Sequence, residues 1–218
     1  MQELLMGIFS LFGRKSKLET EIDGVWMTQS AKYAVIRSEA EAQSREALVV
    51  VLAHFEEIRR EVEQVLNGLP GVTILTSESQ LTSQLARPAA GVICVALARM
   101  MPSLAIELNE GVQDRVSFLV AERYPLRERD DVIKKSAGTM PWRCSLKFYM
   151  SLDDPVLAQF GVEQLRDLLV QLGMAESDEI SNPTVDRAVA RAQKKFKKNA
   201  SGDLETESPE AWFEFNIR

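Results

Sequence analysis

The chain is poor in the residues that build metal centres and disulfide scaffolds. Its 218 residues include one histidine, His54, and two cysteines, Cys94 and Cys144. Two cysteines make no disulfide framework, and a lone histidine without a cysteine or acid at ligand spacing argues against a zinc site. No metal and no cofactor is expected. A surplus of positive charge is also missing: 26 Lys and Arg face 32 Asp and Glu, for a formal net charge of −6. General nucleic-acid binding needs a basic surface that displaces counterions, so nucleic acid is not an expected partner. No apolar run is long enough to span a bilayer. The pattern Gly-x-x-x-x-Gly-Lys-Ser/Thr is absent, which leaves nothing of that kind to cradle phosphates. No nucleophile–base pair can be picked out.

What is present begins with MQELLMGIFSLFGRKSK. Leu4, Leu5, Ile8, Phe9 and Phe12 form a helical apolar stripe followed by Arg14, Lys15 and Lys17. The charges come after the stripe, the reverse of a secretory signal. The spacing predicts an amphipathic helix over 1–18. It either lies on acidic lipid or in a partner's groove, or packs on its own domain.

Strands and helices then alternate. Thr28 is suited to cap a helix that turns Ala31, Val35 and Ile36 inward. The β-branched run 47–53 reads as a strand covered on both faces. Phe55, Ile58, Val62, Val65 and Leu66 fall at helical spacing, and Asn67 and Gly68 supply the stop. Further strands are predicted over 71–76, 91–97, 116–121 and 146–151, with a short helix before Pro88. The pattern implies a parallel, doubly wound α/β sheet over 19–155. A helical extension over 156–199 follows. Val162, Leu165, Leu168, Leu169 and Leu172 make one stripe, closed by Gly173. Asn182 and Pro183 open a second helix that carries Val185, Val189, Ala192 and Phe196. Its lysines at 194, 195, 197 and 198 suit a solvated helix end. Residues 200–218 read as a polar linker, with AWFEFNIR adding an edge strand or folding back on the core.

Several segments, in order, resemble one family: the preprotein translocase ATPase SecA, the motor of bacterial protein export. DGVWMTQSAKY, with Trp26, Thr28, Ala31, Lys32 and Tyr33, is similar to the entry of the motor's second RecA-like domain. ERYPLRERDD, LKFYMSLDDPVLAQFG and LGMAESDEISNPTVDRAVARAQKKF resemble later segments of the same domain, with Tyr124 and Asn182 where the family has histidines. The resemblance spans roughly residues 23–197 and rests on order and spacing more than on any single motif. It implies a RecA-like sheet of the P-loop NTPase type, as in the C-terminal domain of helicases.

The departures matter most. The family's second domain contributes a Gly-Arg-x-Gly-Arg loop whose arginines stabilise the transferring phosphate. That loop falls on Lys135, Ser136, Ala137, Gly138 and Thr139, and a short uncharged hydroxyl cannot act as an arginine finger. A glycine-rich coupling motif ending in Thr-Asp falls on 97–105, where Met101, Ser103 and Ala105 stand instead. Losing an arginine finger alone costs about 10³–10⁵ in rate. Two readings follow. One is a catalytically inactive, SecA-like interaction or regulatory module, linked to protein export and binding a protein partner. The other is a nucleotide-binding subunit that completes an ATPase site in trans, with Arg99, Lys134, Lys135 and Arg143 as the charged candidates. Lys134 and Lys135 are the phosphate candidates, and plain surface lysines are the competing reading. Met100, Met101, Met140 and Trp142, in predicted loops, either cover the core or form a partner surface. His54, just after the first long strand, is expected to be a loop histidine with a weak claim to ligand binding, because α/β sheets bind ligands at strand carboxyl ends. Asp153 and Asp154 are expected to cap a helix from Pro155. The expected location is cytoplasmic, with a peripheral place at the inner membrane if the N-terminal helix binds lipid.

Overall fold

The computed structural model describes residues 18–102, 114–158, 162–180 and 183–218. The segment 1–17, with its apolar stripe and basic residues, lies outside them, as do Ser103, Ala105 and Asn182. Among the described residues no helix is long and apolar enough to cross a membrane.

Among the described residues seven parallel strands form one sheet: β1 (Leu18–Thr20), β2 (Gly24–Trp26), β3 (Leu48–Ala53), β4 (Val72–Ile74), β5 (Ile93–Leu97), β6 (Arg115–Val120) and β7 (Arg143–Ser151). The order across the sheet is β1-β7-β6-β3-β5-β4. β2 also pairs with β7, further along it than β1 does. The two short strands are therefore one edge strand broken at 21–23. All six residues of β3 are buried, between β5 and β6. Alternation sends Leu48, Val50 and Leu52 to one face and Val49, Val51 and Ala53 to the other. Each of the buried valines and leucines contributes about 1.5–3 kcal/mol by leaving water.

Helices cover both faces, which makes the sheet doubly wound as the sequence predicts. α1 (Gln29–Ser44) and α2 (Glu56–Leu66) place Tyr33, Ile36, Ile58, Val62 and Leu66 on the Val49 face. α3 (Glu78–Ala86) and α4 (Arg127–Thr139) place Leu81, Leu85, Ile133 and Ala137 on the opposite face, that of Leu48, Val50 and Leu52. Thr28 caps α1 as expected, accepting from the Ala31 amide at 3.2 Å. Gly71, before β4, has φ +77°, and a Cβ there would meet the Gly91 carbonyl oxygen at 1.9 Å, so only glycine fits this turn.

Beyond the sheet, α5 (Pro155–Ala158), α6 (Val162–Gln171) and α7 (Pro183–Asn199) build a smaller core on Val25, Met27, Met150 and Leu152. Leu169, Val189, Ala192 and Phe196 point into it. Leu165, Leu168 and Leu172, expected in the same stripe as Leu169, are exposed.

Two expectations are corrected here. Residues 134–139 are not a loop: they form the second half of α4, whose buried positions Asp130, Ile133, Ser136 and Ala137 recur at helical spacing. AWFEFNIR is not an edge strand. Its first six residues belong to α8 (Pro209–Asn216), started by a Ser208 hydroxyl that accepts from the Ala211 amide at 3.1 Å, and Ile217 after it makes a single antiparallel bridge to Ala200. Trp212 and Asn216, one turn apart, are both buried, while Phe215 is exposed. Folding back on the core, the other expectation for this segment, is what Trp212 does.

Candidate functional site

The carboxyl ends of β3, β6 and β7 are where an open α/β sheet offers a ligand crevice. In this chain a buried ionic network fills that edge. His54 follows β3, Glu122 and Arg123 follow β6, and Asp153 and Asp154 follow β7. Lys32 reaches in from α1, Asp130 from α4 and Gln193 from α7.

Asp130 is the centre. Its Oδ1 accepts from His54 Nε2 at 2.9 Å and from the Tyr124 amide at 3.1 Å. Its Oδ2 accepts from Gln193 Nε2 at 2.8 Å and from Arg123 Nη1 at 3.3 Å. Burial alone would raise its pKa, but the His54 hydrogen bond and the neighbouring positive charge win and hold it below the usual carboxylate range. Arg123 then clamps Asp23 with two nitrogens, Nε at 2.8 Å and Nη2 at 2.5 Å, and stacks on Phe148 at 3.5 Å. Asp23 is so deeply buried that desolvation still pushes its pKa up, a push that Arg123 only partly offsets. A second buried pair stands nearby: Lys32 Nζ lies 2.9 Å from Asp154 Oδ1, and the lysine is fully buried.

Glu122 does something different. Its Oε1 accepts from the backbone amides of His54 at 2.5 Å and Phe55 at 3.3 Å. Phe55 stands at the N-cap of α2 and offers no capping side chain, and Glu122, just beyond β6, holds the backbone that leads into that helix. Oε2 has no hydrogen-bond partner among the described residues. Desolvation raises the carboxyl pKa to about 7 against the pull of His54 and Lys32.

The chain's own C-terminal segment closes the rest of the edge. The Glu57 amide of α2 donates to the Glu207 carbonyl at 3.0 Å. Asp203 accepts from Tyr124 Oη at 2.6 Å, Arg129 Nε at 2.7 Å and Trp212 Nε1 at 2.9 Å. Tyr124 stacks on Phe55 and meets Trp212 edge-on. What remains open is a cleft of about 150 Å³ lined by His54, Arg99, Tyr124, Arg129, Glu205 and Thr206 among others.

The residues singled out in the sequence are scattered. Met101, Met140 and Trp142 are buried in the core and cannot present a partner surface, a correction to that reading; Met100 is partly buried against the same core. Trp142 Nε1 donates to the Leu85 carbonyl at 2.8 Å, which satisfies its polar atom inside. Lys134 is half-buried above the Phe148 ring, and burial and then Arg123 push its pKa down. Lys135 is exposed on the outer side of α4. Arg143 opens β7 at the amino end of the sheet, opposite the crevice that Arg99 borders. The four cations do not converge. Ser136 donates to the Pro102 carbonyl at 2.6 Å and Thr139 to the Ser136 carbonyl at 2.8 Å, so both hydroxyls are tied to backbone.

His54 is a loop histidine, as expected, in the connection from β3 to α2, and its ring is buried against Asp130. The pair resembles the base and orienter of a triad, yet no hydroxyl or thiol bonds the imidazole among the described residues. Asp153 and Asp154 do not cap α5 with their side chains. Asp153 accepts from the Gln29 amide and Arg166, while Asp154 holds Ser151 and Lys32. Among the described residues no three His, Cys, Asp or Glu side chains are grouped to hold a metal ion. No protein-family model matches the chain.

Proposed function

We propose that this chain is a non-catalytic relative of the second RecA-like domain of the SecA motor, working as a protein-interaction or regulatory module linked to protein export. One observation carries the reading. The N-terminus of α2, at the end of the central strand, is the place where such sheets bind an anion. Here the Glu57 amide of the first turn donates to the Glu207 carbonyl, and the Glu122 carboxylate takes the His54 and Phe55 amides that lead into the helix. A phosphate there would have to displace both acceptors and stand beside the carboxylates of Glu122 and Asp130. The hydroxyls that replace the finger arginines serve backbone carbonyls, which also favours the reading.

Titration of a fluorescent ATP analogue into the purified chain, with magnesium, tests it. The expected result is no saturable binding. Saturable micromolar binding would replace the proposal with that of a nucleotide-binding subunit completing a site in trans.

A further inference from the structure

The first turn of α4 and the outer face of α7 enclose a groove of about 400 Å³. Arg127, Arg191, Lys194 and Lys197 stand around it, against one carboxylate, Glu128. Ala190 forms part of its floor. Lys197 bonds Glu128, and Arg127 lies 3.5 Å from Asp131 on its own helix. Arg191 and Lys194 have no carboxylate within ion-pair distance among the described residues, and both are exposed. The walls are held in place from beneath. Gln193 of α7 is buried and donates to Asp130 of α4 and to the Tyr124 carbonyl, each at 2.8 Å. The groove thus exists before anything binds, which lowers the cost of binding.

We infer that this groove docks an acidic peptide segment of a partner protein, its carboxylates pairing with Arg191 and Lys194 and its apolar side chains lying over Ala190 and the methylene stems. The inference rests on the reading of the chain as an interaction module, and gives that module's partner a chemistry. Charge complementarity is the ground: of the four cations around the groove, Arg191 and Lys194 are left without a carboxylate among the described residues, in a chain whose net charge is −6. A bilayer is a poor match, because interfacial binding buries an apolar face and the lining holds no large apolar side chain. Nucleic acid is a poor match too: no aromatic lines the groove for stacking.

Fluorescence anisotropy with a labelled peptide of Glu-Glu-Leu repeats tests the inference on the full chain. Adjacent lysines give the comparison. Lys194→Glu and Lys195→Glu make the same charge change, but only Lys194 lines the groove. Saturable binding is expected, weakened about tenfold by Lys194→Glu and little changed by Lys195→Glu. The Gln-for-Glu version of the peptide is expected not to bind. Equal loss in the two variants, equal binding of the uncharged peptide or no binding of the acidic one each overturns the inference. So does Lys194-dependent binding of phosphatidylserine vesicles or of a DNA duplex in place of the peptide. The ATP titration reports on the carboxyl edge of the sheet, so nucleotide binding and peptide binding fail or succeed separately.

Discussion

His54 Nε2 donates to Asp130 Oδ1 at 2.9 Å, and this bond ties the end of the central strand to α4. Because Gln193 and Arg123 converge on the other oxygen of the same carboxylate, one side chain joins β3, α4, β6 and α7. A buried charge with this many donors is stable only while the donors remain. Asp130→Ala is expected to destabilise the fold by about 3–5 kcal/mol in urea unfolding, since Arg123 and Gln193 lose a buried partner. A change within about 0.5 kcal/mol, typical of a surface site, would contradict the central place given to Asp130.

Glu122 makes stability depend on pH in the opposite sense to Asp130. Its folded pKa, about 7, lies above the value near 4.3 of an unfolded glutamate. Between those values the native state binds the extra proton, so the contribution is complete below the lower value and is lost as pH rises through about 7. Glu122→Gln keeps the accepting oxygen for the His54 and Phe55 amides and cannot ionise. The stability of the wild-type chain relative to this variant is expected to fall by about 2–3 kcal/mol between about pH 5 and 8. A difference that stays flat across that range would show that Glu122 does not titrate there.

Asp130, held below its ordinary value, acts at the acid end. Its contribution is present above the unfolded pKa and is lost as pH falls through the lower folded one.

Trp212 decides whether the C-terminal segment is a linker or part of the core. It is fully buried with Tyr124 and Phe213 around it, and its indole N–H meets Asp203. Trp212→Ala is expected to cost about 3–5 kcal/mol in chemical denaturation, the range for emptying a packed aromatic site. A cost below about 1 kcal/mol would return residues 200–218 to the status of a loose tail.

Much of the sheet was legible in the sequence because fully buried parallel strands announce themselves. The runs around Val50, Val95 and Leu119 are continuous and β-branched or aliphatic, as strands covered on two faces must be. β1 and β2 were not, since three residues carry no periodicity. The second half of α4 is masked in the sequence by the resemblance of 135–139 to a loop position of the SecA family, although Asp130, Ile133 and Ala137 mark one helical face. For α8 the start signal was present as Ser208, Pro209 and Glu210, and the alternating aromatics after it drew the reading toward a strand. The ionic network was the least legible part. His54 and Asp154 stood out singly, but Lys32, Asp130 and Asp23 are residue types found mostly on surfaces, and their partners are 122, 76 and 100 positions away. Nothing local in a sequence announces a pairing of that range.

The central claim is that the sheet's carboxyl edge holds its own side chains where a motor would hold fuel. Phosphate release from ATP and magnesium by the isolated chain measures it most directly. The account predicts no release above the buffer rate, and no change on replacing Lys134 or Lys135 by alanine. Release that depends on magnesium and disappears with either lysine would contradict it.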